Sequence, residues 1–291
     1  MRTLRTIAEL RAALAEPRRL GRTIGLVPTM GAFHEGHLSL MRRARQDCDA
    51  VVVSLFVNPA QFDEASDLHA YPRDERRDAA LASDLGVDYL FAPAAEDVYP
   101  PGFATTVSVA GISETLEGAS RGRRHFDGVA TVVTKLFNMV QPDVAYFGQK
   151  DAQQALVIKR LVRDLDMPVR IEVCPTLREP DGLAMSSRNA HLSESERSRA
   201  SALHHALRAA QEALSSGTDD SGGVLARARA ELEAAEVEPE YLELVDADTL
   251  EPVPRVEGEV LALVAARVGS TRLIDNELLS PATRASSNGR P

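Results

Sequence analysis

Short apolar runs alternating with helical patterns set the first expectation for this chain. Thr23 to Thr29 reads as a short apolar strand, followed by a glycine-bearing turn at Met30-Gly31. From about Glu35 to Cys48 the spacing is helical, with Leu38, Leu40, Met41 and Ala44 on one apolar stripe. Asp49 to Val57 is a continuous β-branched run, the pattern of a strand buried on both faces. The same periodicities predict helices over residues 74–85, 128–140 and 152–164, and strands over 89–92, 144–147 and 169–173. Residues 5–16 read as a short helix that Pro17 ends. Such alternation predicts an α/β fold, a Rossmann-like, mostly parallel sheet with helices on both faces. Ligands of such sheets sit at the carboxyl ends of the strands.

The texture changes after about Pro175. A loop over 178–189 leads to a long helix from about Ser193 to Ser215, then a Ser/Asp/Gly linker over 217–223 and a second helix over 224–235. Strands follow at 240–245 and 260–268. The reading is therefore two domains, a Rossmann-like domain over 1–176 and a smaller C-terminal α/β domain over 177–291, with a frayed tail at 280–291.

Composition narrows the function classes. The chain has 291 residues, 44% hydrophobic and 26% charged, an ordinary globular mix. A net charge of −10 and 4% aromatics without tryptophan argue against nucleic acid as a partner. No segment approaches the ~18 apolar residues of a membrane span, and the N-terminus lacks a secretion signal, so no membrane association and a cytoplasmic setting are expected. Cys48 and Cys174 lie far apart and read as buried, reduced thiols.

Five polar segments stand out. Between a strand and a helix, Pro28 to Leu38 carries His34 and His37 with Gly36 between them. Residues at i and i+3 share a helix face, and a helix start offers free N–H groups and a positive dipole end to an anion such as phosphate. Gly36 leaves room for close approach, and the i, i+3 spacing differs from the i, i+4 of a zinc helix. Asn58 and Gln61, in Phe56 to Phe62, suit the hydroxyl and carboxylate of a hydroxy acid, although a plain Asn-Pro turn accounts for the segment equally. Lys150, after a third strand, can cancel phosphate charge, with Gln154 on the same helical face. A solvated helix start capped by Asp151 is the competing account. Ser186, Ser187 and Arg188 on a glycine-bearing loop form either a mobile phosphate clamp or a polar linker. Arg121, Arg123 and Arg124 form either an anion site or a solvated basic loop.

The ordered strings PTMGAFHEGHLSL, FVNPAQF, YPRD, TVVTKLFNMVQPD, YFGQKDAQQ, DGLAMSSRN and RVGSTRLIDN together resemble the pantothenate synthetase family over nearly the whole chain. This family belongs to the nucleotidylyltransferases that share an H-x-G-H motif. The resemblance implies that ATP activates pantoate as an adenylate, which the β-alanine amine then attacks. It also implies catalytic roles for His37, His34 and Lys150, with His37 as proton donor. Met30, Gly31, His34, Gly36, His37, Gly148, Gln149, Lys150, Asp151, Leu177, Met185, Ser186, Ser187 and Arg188 would contact ATP. Gln61, Gln154 and Met30 would hold pantoate, with Gln61 also near β-alanine and Asn58 and Arg121 close by. Asp78 falls where an acidic residue lies near Mg²⁺, the C-terminal domain would close as a lid over ATP, and a homodimer is implied. Two departures from the family pattern are present. Ser120 to Phe126 is one residue longer than the usual Ser-Arg-Pro-Gly-His-Phe, and Arg77 stands beside Asp78 where some relatives have a second acid.

Overall fold

The computed structural model describes residues 1–62, 68–69 and 71–281. The tail expectation therefore falls, from residue 282 on, outside the described residues. Six parallel strands form one sheet in the order β1-β4-β3-β2-β5-β6, with β1 Arg2–Leu4, β2 Ile24–Thr29, β3 Ala50–Leu55, β4 Tyr89–Phe91, β5 Val144–Gly148 and β6 Arg170–Cys174. Side chains alternate across this sheet, so β2 and β3 feed two cores. Ile24, Leu26, Ala50 and Val52 pack on one face with Leu10 and Leu14 of α1 (Ile7–Arg19). Val27, Val51 and Val53 pack on the other with Leu38, Met41 and Ala44 of α2 (Glu35–Asp47).

The order of connections fixes where a ligand can sit. From β2 the chain moves outward through β3 and α3 (Glu75–Asp84) to β4, whereas β5 and β6 lie on the opposite side of β2. The direction reverses between β2 and β5, and α/β sheets open their binding crevice at such a switch point. Two short helices, α4 (Ala95–Val98) and α5 (Glu117–Arg121), precede α6 (Arg123–Val140), and α7 (Ala152–Asp164) links β5 to β6.

Several boundaries differ from the sequence reading, each for a local reason. Helix α1 runs past Pro17 to Arg19. Proline lacks the N–H that would bond the Ala13 carbonyl, and the Tyr89 hydroxyl donates to that carbonyl at 3.3 Å instead. Helix α6 begins at Arg123, five residues early, so Arg123 and Arg124 lie in its first turn while Arg121 ends α5. β1 escapes periodicity analysis because three residues carry no pattern, and its register is set by pairing Arg2 with Tyr89.

The compact units comprise residues 1–177 with 185–187, and residues 178–184 with 188–291. The second unit is built on an antiparallel sheet of β7 Pro239–Asp246, β8 Val260–Val268 and β9 Thr271–Leu279. Its core joins Leu203, Leu207 and Leu214 to Val224, Leu232, Leu244 and Val264. The expected helix over 193–215 is two, α8 (Glu194–Ala200) and α9 (Ala202–Ser215). At their junction the Ser201 hydroxyl donates to the Ser198 carbonyl at 2.8 Å, competing with the helix's own ladder. The expected linker is shorter than its composition suggests, because the Asp220 side chain accepts the Gly223 amide and starts α10 (Ser221–Ala234). Among the described residues no helix is long and apolar enough to cross a membrane.

Candidate functional site

Three of the five segments leave adjacent parallel strands at their carboxyl ends: 30–37 after β2, 56–62 after β3 and 149–154 after β5. In the first, Gly31 at φ +90° and Ala32 at φ +54° turn the chain in succession through the left-handed region. His34 then takes an extended conformation as the N-cap of α2. Its amide donates to His37 Nδ1 at 3.4 Å, and the two rings lie tilted by 44° with centroids 4.2 Å apart. With Nδ1 accepting, a neutral His37 carries its proton on Nε2. Burial, then the neighbouring His34, pushes the His37 imidazole down to about 3, Asp151 opposing and Lys150 reinforcing the shift. At Gly36 a Cβ would lie 2.9 Å from the His34 ring and 3.8 Å from the Met185 Cβ, so a side chain there would push the His34 ring aside.

The second segment forms a cradle around Asn58, which is buried. Its Nδ2 donates to Gln61 Oε1 at 2.9 Å and to the Gly128 carbonyl at 3.1 Å. Its Oδ1 accepts the Tyr99 hydroxyl at 2.8 Å. This network fixes the amide of Gln61, whose Nε2 then lies 3.2 Å from Met30 Sδ. Met30, Gln61 and Asn58 thus meet at the mouth of β2 and β3. His125 Nδ1 lies 2.9 Å from the Gln61 carbonyl, and α6 approaches so closely that a Cβ at Gly128 would come 2.5 Å from the Ala60 carbonyl oxygen.

In the third segment Gly148 ends β5, and a single turn over Gln149–Asp151 puts Lys150 Nζ 3.4 Å from Asp151 Oδ1. Gln154 lies half-buried on the first turn of α7. The adjacent Gln153, not singled out in the sequence, is buried. It accepts the Glu117 amide at 3.0 Å and donates to the Ile112 and Thr115 carbonyls. It thereby holds the segment leading to α5, where Arg121 pairs with Glu117 at 2.9 Å.

The loop 177–189 is anchored on both sides of its serines. Met185 donates its amide to the Leu177 carbonyl at 2.9 Å. Arg178 forks onto the buried Asp275 of β9 at 2.6 and 3.1 Å. Asn189 donates to Glu179 and Ala184, and Arg197 pairs with both Glu179 and Asp181. Ser186 and Ser187 lie half-buried and Arg188 is exposed. Asp275 sits in a string quoted from the sequence, yet its partner lies 97 residues away, beyond any local signal.

Asp78, which the resemblance puts near Mg²⁺, is engaged by the backbone. Its carboxylate is 1% exposed and faces the β2–α2 turn, accepting the Ala32 amide at 2.7 Å and the Phe33 amide at 2.8 Å. An Mg²⁺ ligand needs an oxygen open to a hydrated cation. The surroundings of Asp78 do not fit that role. Among the described residues no group of three His, Cys, Asp or Glu side chains is placed to hold a metal.

Fold and geometry together define an α/β protein in which a helix N-terminus bearing two histidines lies beside the switch point of a parallel sheet. The family model described as pantoate-beta-alanine ligase matches residues 2–278. A pantothenate synthetase from Cereibacter sphaeroides is 57% identical over 94% of this chain and 98% of its own length. The crystal structure of pantothenate synthetase from Thermus thermophilus, 49% identical, superposes with a TM-score of 0.91 and covers 97% of this chain and 100% of that one. A pantoate-beta-alanine ligase from Francisella tularensis, solved with beta-gamma ATP and beta-alanine, is 34% identical with a TM-score of 0.78, covering 96% and 97%. The chain belongs to the pantoate–β-alanine ligase family.

Proposed function

We propose that this chain condenses pantoate with β-alanine at the expense of ATP, through pantoyl adenylate. A pantoate carboxylate oxygen attacks the α-phosphorus, the bond to the bridging oxygen breaks and pyrophosphate leaves. The β-alanine amine then attacks the acyl carbon, AMP leaves with the anhydride oxygen, and the amine proton is lost to give the amide of pantothenate.

The observation that carries this reading is the meeting of the His34–His37 cap with the Met30–Gln61–Asn58 cradle at the ends of adjacent strands. The first is a phosphate-type site and the second a site for a polar hydroxy acid. In this reading His34, His37 and Lys150 stabilise charge developing on the phosphates, with Gly31, Gly36, Gly148, Gln149 and Asp151 lining the nucleotide. Gln61 and Gln154 orient pantoate beside Met30, and Gln61 also meets β-alanine. Leu177 and Met185–Arg188 contact ATP. Catalysis is positioning plus charge neutralisation. Mg²⁺ accompanies ATP on its phosphate oxygens, and no protein carboxylate is assigned to it. The chain acts in the cytoplasm, as a homodimer through its N-terminal unit.

The test is AMP formation from ATP with each substrate omitted in turn. AMP should appear only when pantoate and β-alanine are both present. Nucleotidyl transfer to a phosphate ester, with none to pantoate, would assign the chain to a different reaction.

A further inference from the structure

A buried carboxylate normally survives only where its oxygens are matched by donors, because an unpaired buried charge is strongly penalised. Asp78 meets that condition through a segment 45 and 46 residues away, the amides of Phe33 and Ala32. Those amides belong to a turn with two successive left-handed residues, of which Ala32, with its Cβ, pays a conformational cost. The turn is also held by the Phe33 side chain, buried in the core with Leu38 and Met41. The Gly31 amide lies 3.4 Å from Thr29 Oγ1, and that hydroxyl donates to the Ser54 carbonyl at 2.6 Å. A Cβ on Gly31 would stand 3.0 Å from Asp78 Oδ2, so carboxylate and glycine are fitted to one another. Asp78 is itself set by the start of α3, where Asp74 caps the Arg77 amide at 3.0 Å. Arg77 Nη1, 3.8 Å away and on an exposed side chain, adds a weak balancing charge.

We propose that Asp78 is a positioning residue for the nucleotide: its two oxygens hold the Gly31–Phe33 turn in its left-handed form and so aim His34, Gly36 and His37 at the phosphates. It does this without ligating the metal. The inference rests on the ATP reading of this site. The acidic side chain suits this position even with Arg77 beside it, since a carboxylate presents two acceptors to two neighbouring amides. An asparagine presents one acceptor and turns its NH₂ group toward the second amide.

The deciding experiment compares Asp78→Asn with the wild type in steady state, varying ATP, pantoate and Mg²⁺ separately. The expected result is a rise in the ATP KM of about tenfold or more, in line with one buried amide left without its acceptor. The pantoate KM should stay within about twofold, and the Mg²⁺ activation midpoint at saturating ATP should not move. Adding Ala32→Gly to the variant should recover part of the ATP KM, because glycine holds the left-handed turn without strain. An unchanged ATP KM, or a Mg²⁺ midpoint shifted about tenfold, overturns the proposal. If Asp78→Asn does not fold, amide exchange at Ala32 and Phe33 is measured in the wild-type chain with a non-hydrolysable ATP analogue. Protection in both the absence and presence of Mg²⁺ supports the brace, and its loss when Mg²⁺ is added overturns it. Failure of the ATP reading is separate: a wild-type chain that makes no AMP with all three substrates removes the reaction, whatever the amides do.

Discussion

His37 combines two properties that pull its chemistry in one direction. Its Nδ1 accepts the His34 amide, and burial holds the ring neutral to about pH 3. The ring therefore offers a neutral Nε2–H, and in the proposed reading this is a hydrogen-bond donor to a phosphate, in place before the charge develops. His37→Ala should lower kcat by about 10²–10³-fold, the usual loss for one transition-state donor, with little change in the circular dichroism spectrum. The pKa shift also bears on stability. The folded value lies below the unfolded one of about 6.5, so the unfolded chain takes up the proton first. The His37 contribution is complete above about pH 6.5 and is lost as pH falls toward 3, at a slope of up to ~1.4 kcal/mol per pH unit. Urea unfolding at pH 7, 5.5 and 4.5 should show a shallower decline in His37→Gln than in the wild type; equal slopes would remove His37 from the pH response. The histidine pair was legible in the sequence because its spacing and its place between strand and helix are local facts. The work of Asp78 was not, because its acceptors serve amides 45 and 46 residues away.

Helix α6 shows how an element positions chemistry it does not itself perform. Its apolar face supplies Val129, Val132, Val133, Leu136 and Phe137 to the core beneath β2 and β3. At the same level Gly128 lets the helix backbone touch the turn that carries Gln61. Glycine inside a helix ordinarily costs about 0.5–1 kcal/mol relative to alanine. Gly128→Ala should reverse that rule, because its Cβ would collide with the Ala60 carbonyl and force the turn or the helix to move. The expected outcome is a net loss of ~1–3 kcal/mol and a lower melting temperature, by about 2–4 °C per kcal/mol. The pantoate KM should rise with it, as Asn58 and Gln61 lose their register. A melting temperature raised above wild type would show the contact to be slack. Strands β2, β3 and β5 and helices α2 and α7 were legible because their apolar periodicity is long and uninterrupted. The ends of α1, α6 and α8 were not, because side chains from elsewhere or competing local bonds decide them. The Tyr89 hydroxyl bonds the carbonyl that Pro17 leaves without its N–H partner, and the Ser201 hydroxyl adds a local bond to the Ser198 carbonyl.

At the scale of the whole molecule, sequence texture suggests a change of architecture near Pro175 and carries no trace of the path the chain takes between units. The chain enters the second unit at Arg178, returns to the first for residues 185–187 and leaves again at Arg188. A window average over composition smooths out so short an excursion, whereas the anchors Arg178–Asp275 and Asn189–Glu179 depend on partners that only folding brings together. The hydrophobic cores divide in the same way: Leu207 and its neighbours over 183–279 form one, and the sheet residues of the first unit form two others. Cutting a fully buried leucine to alanine costs ~2–5 kcal/mol, and its effect spreads through the cooperative unit that contains it. Leu207→Ala should therefore accelerate amide exchange in β7, β8, β9 and α9 while leaving β2 and β3 at wild-type rates. Mass-resolved hydrogen exchange under native conditions reads both sets in one sample. Equal acceleration in β2 and β3 would mean that the chain opens as a single cooperative body.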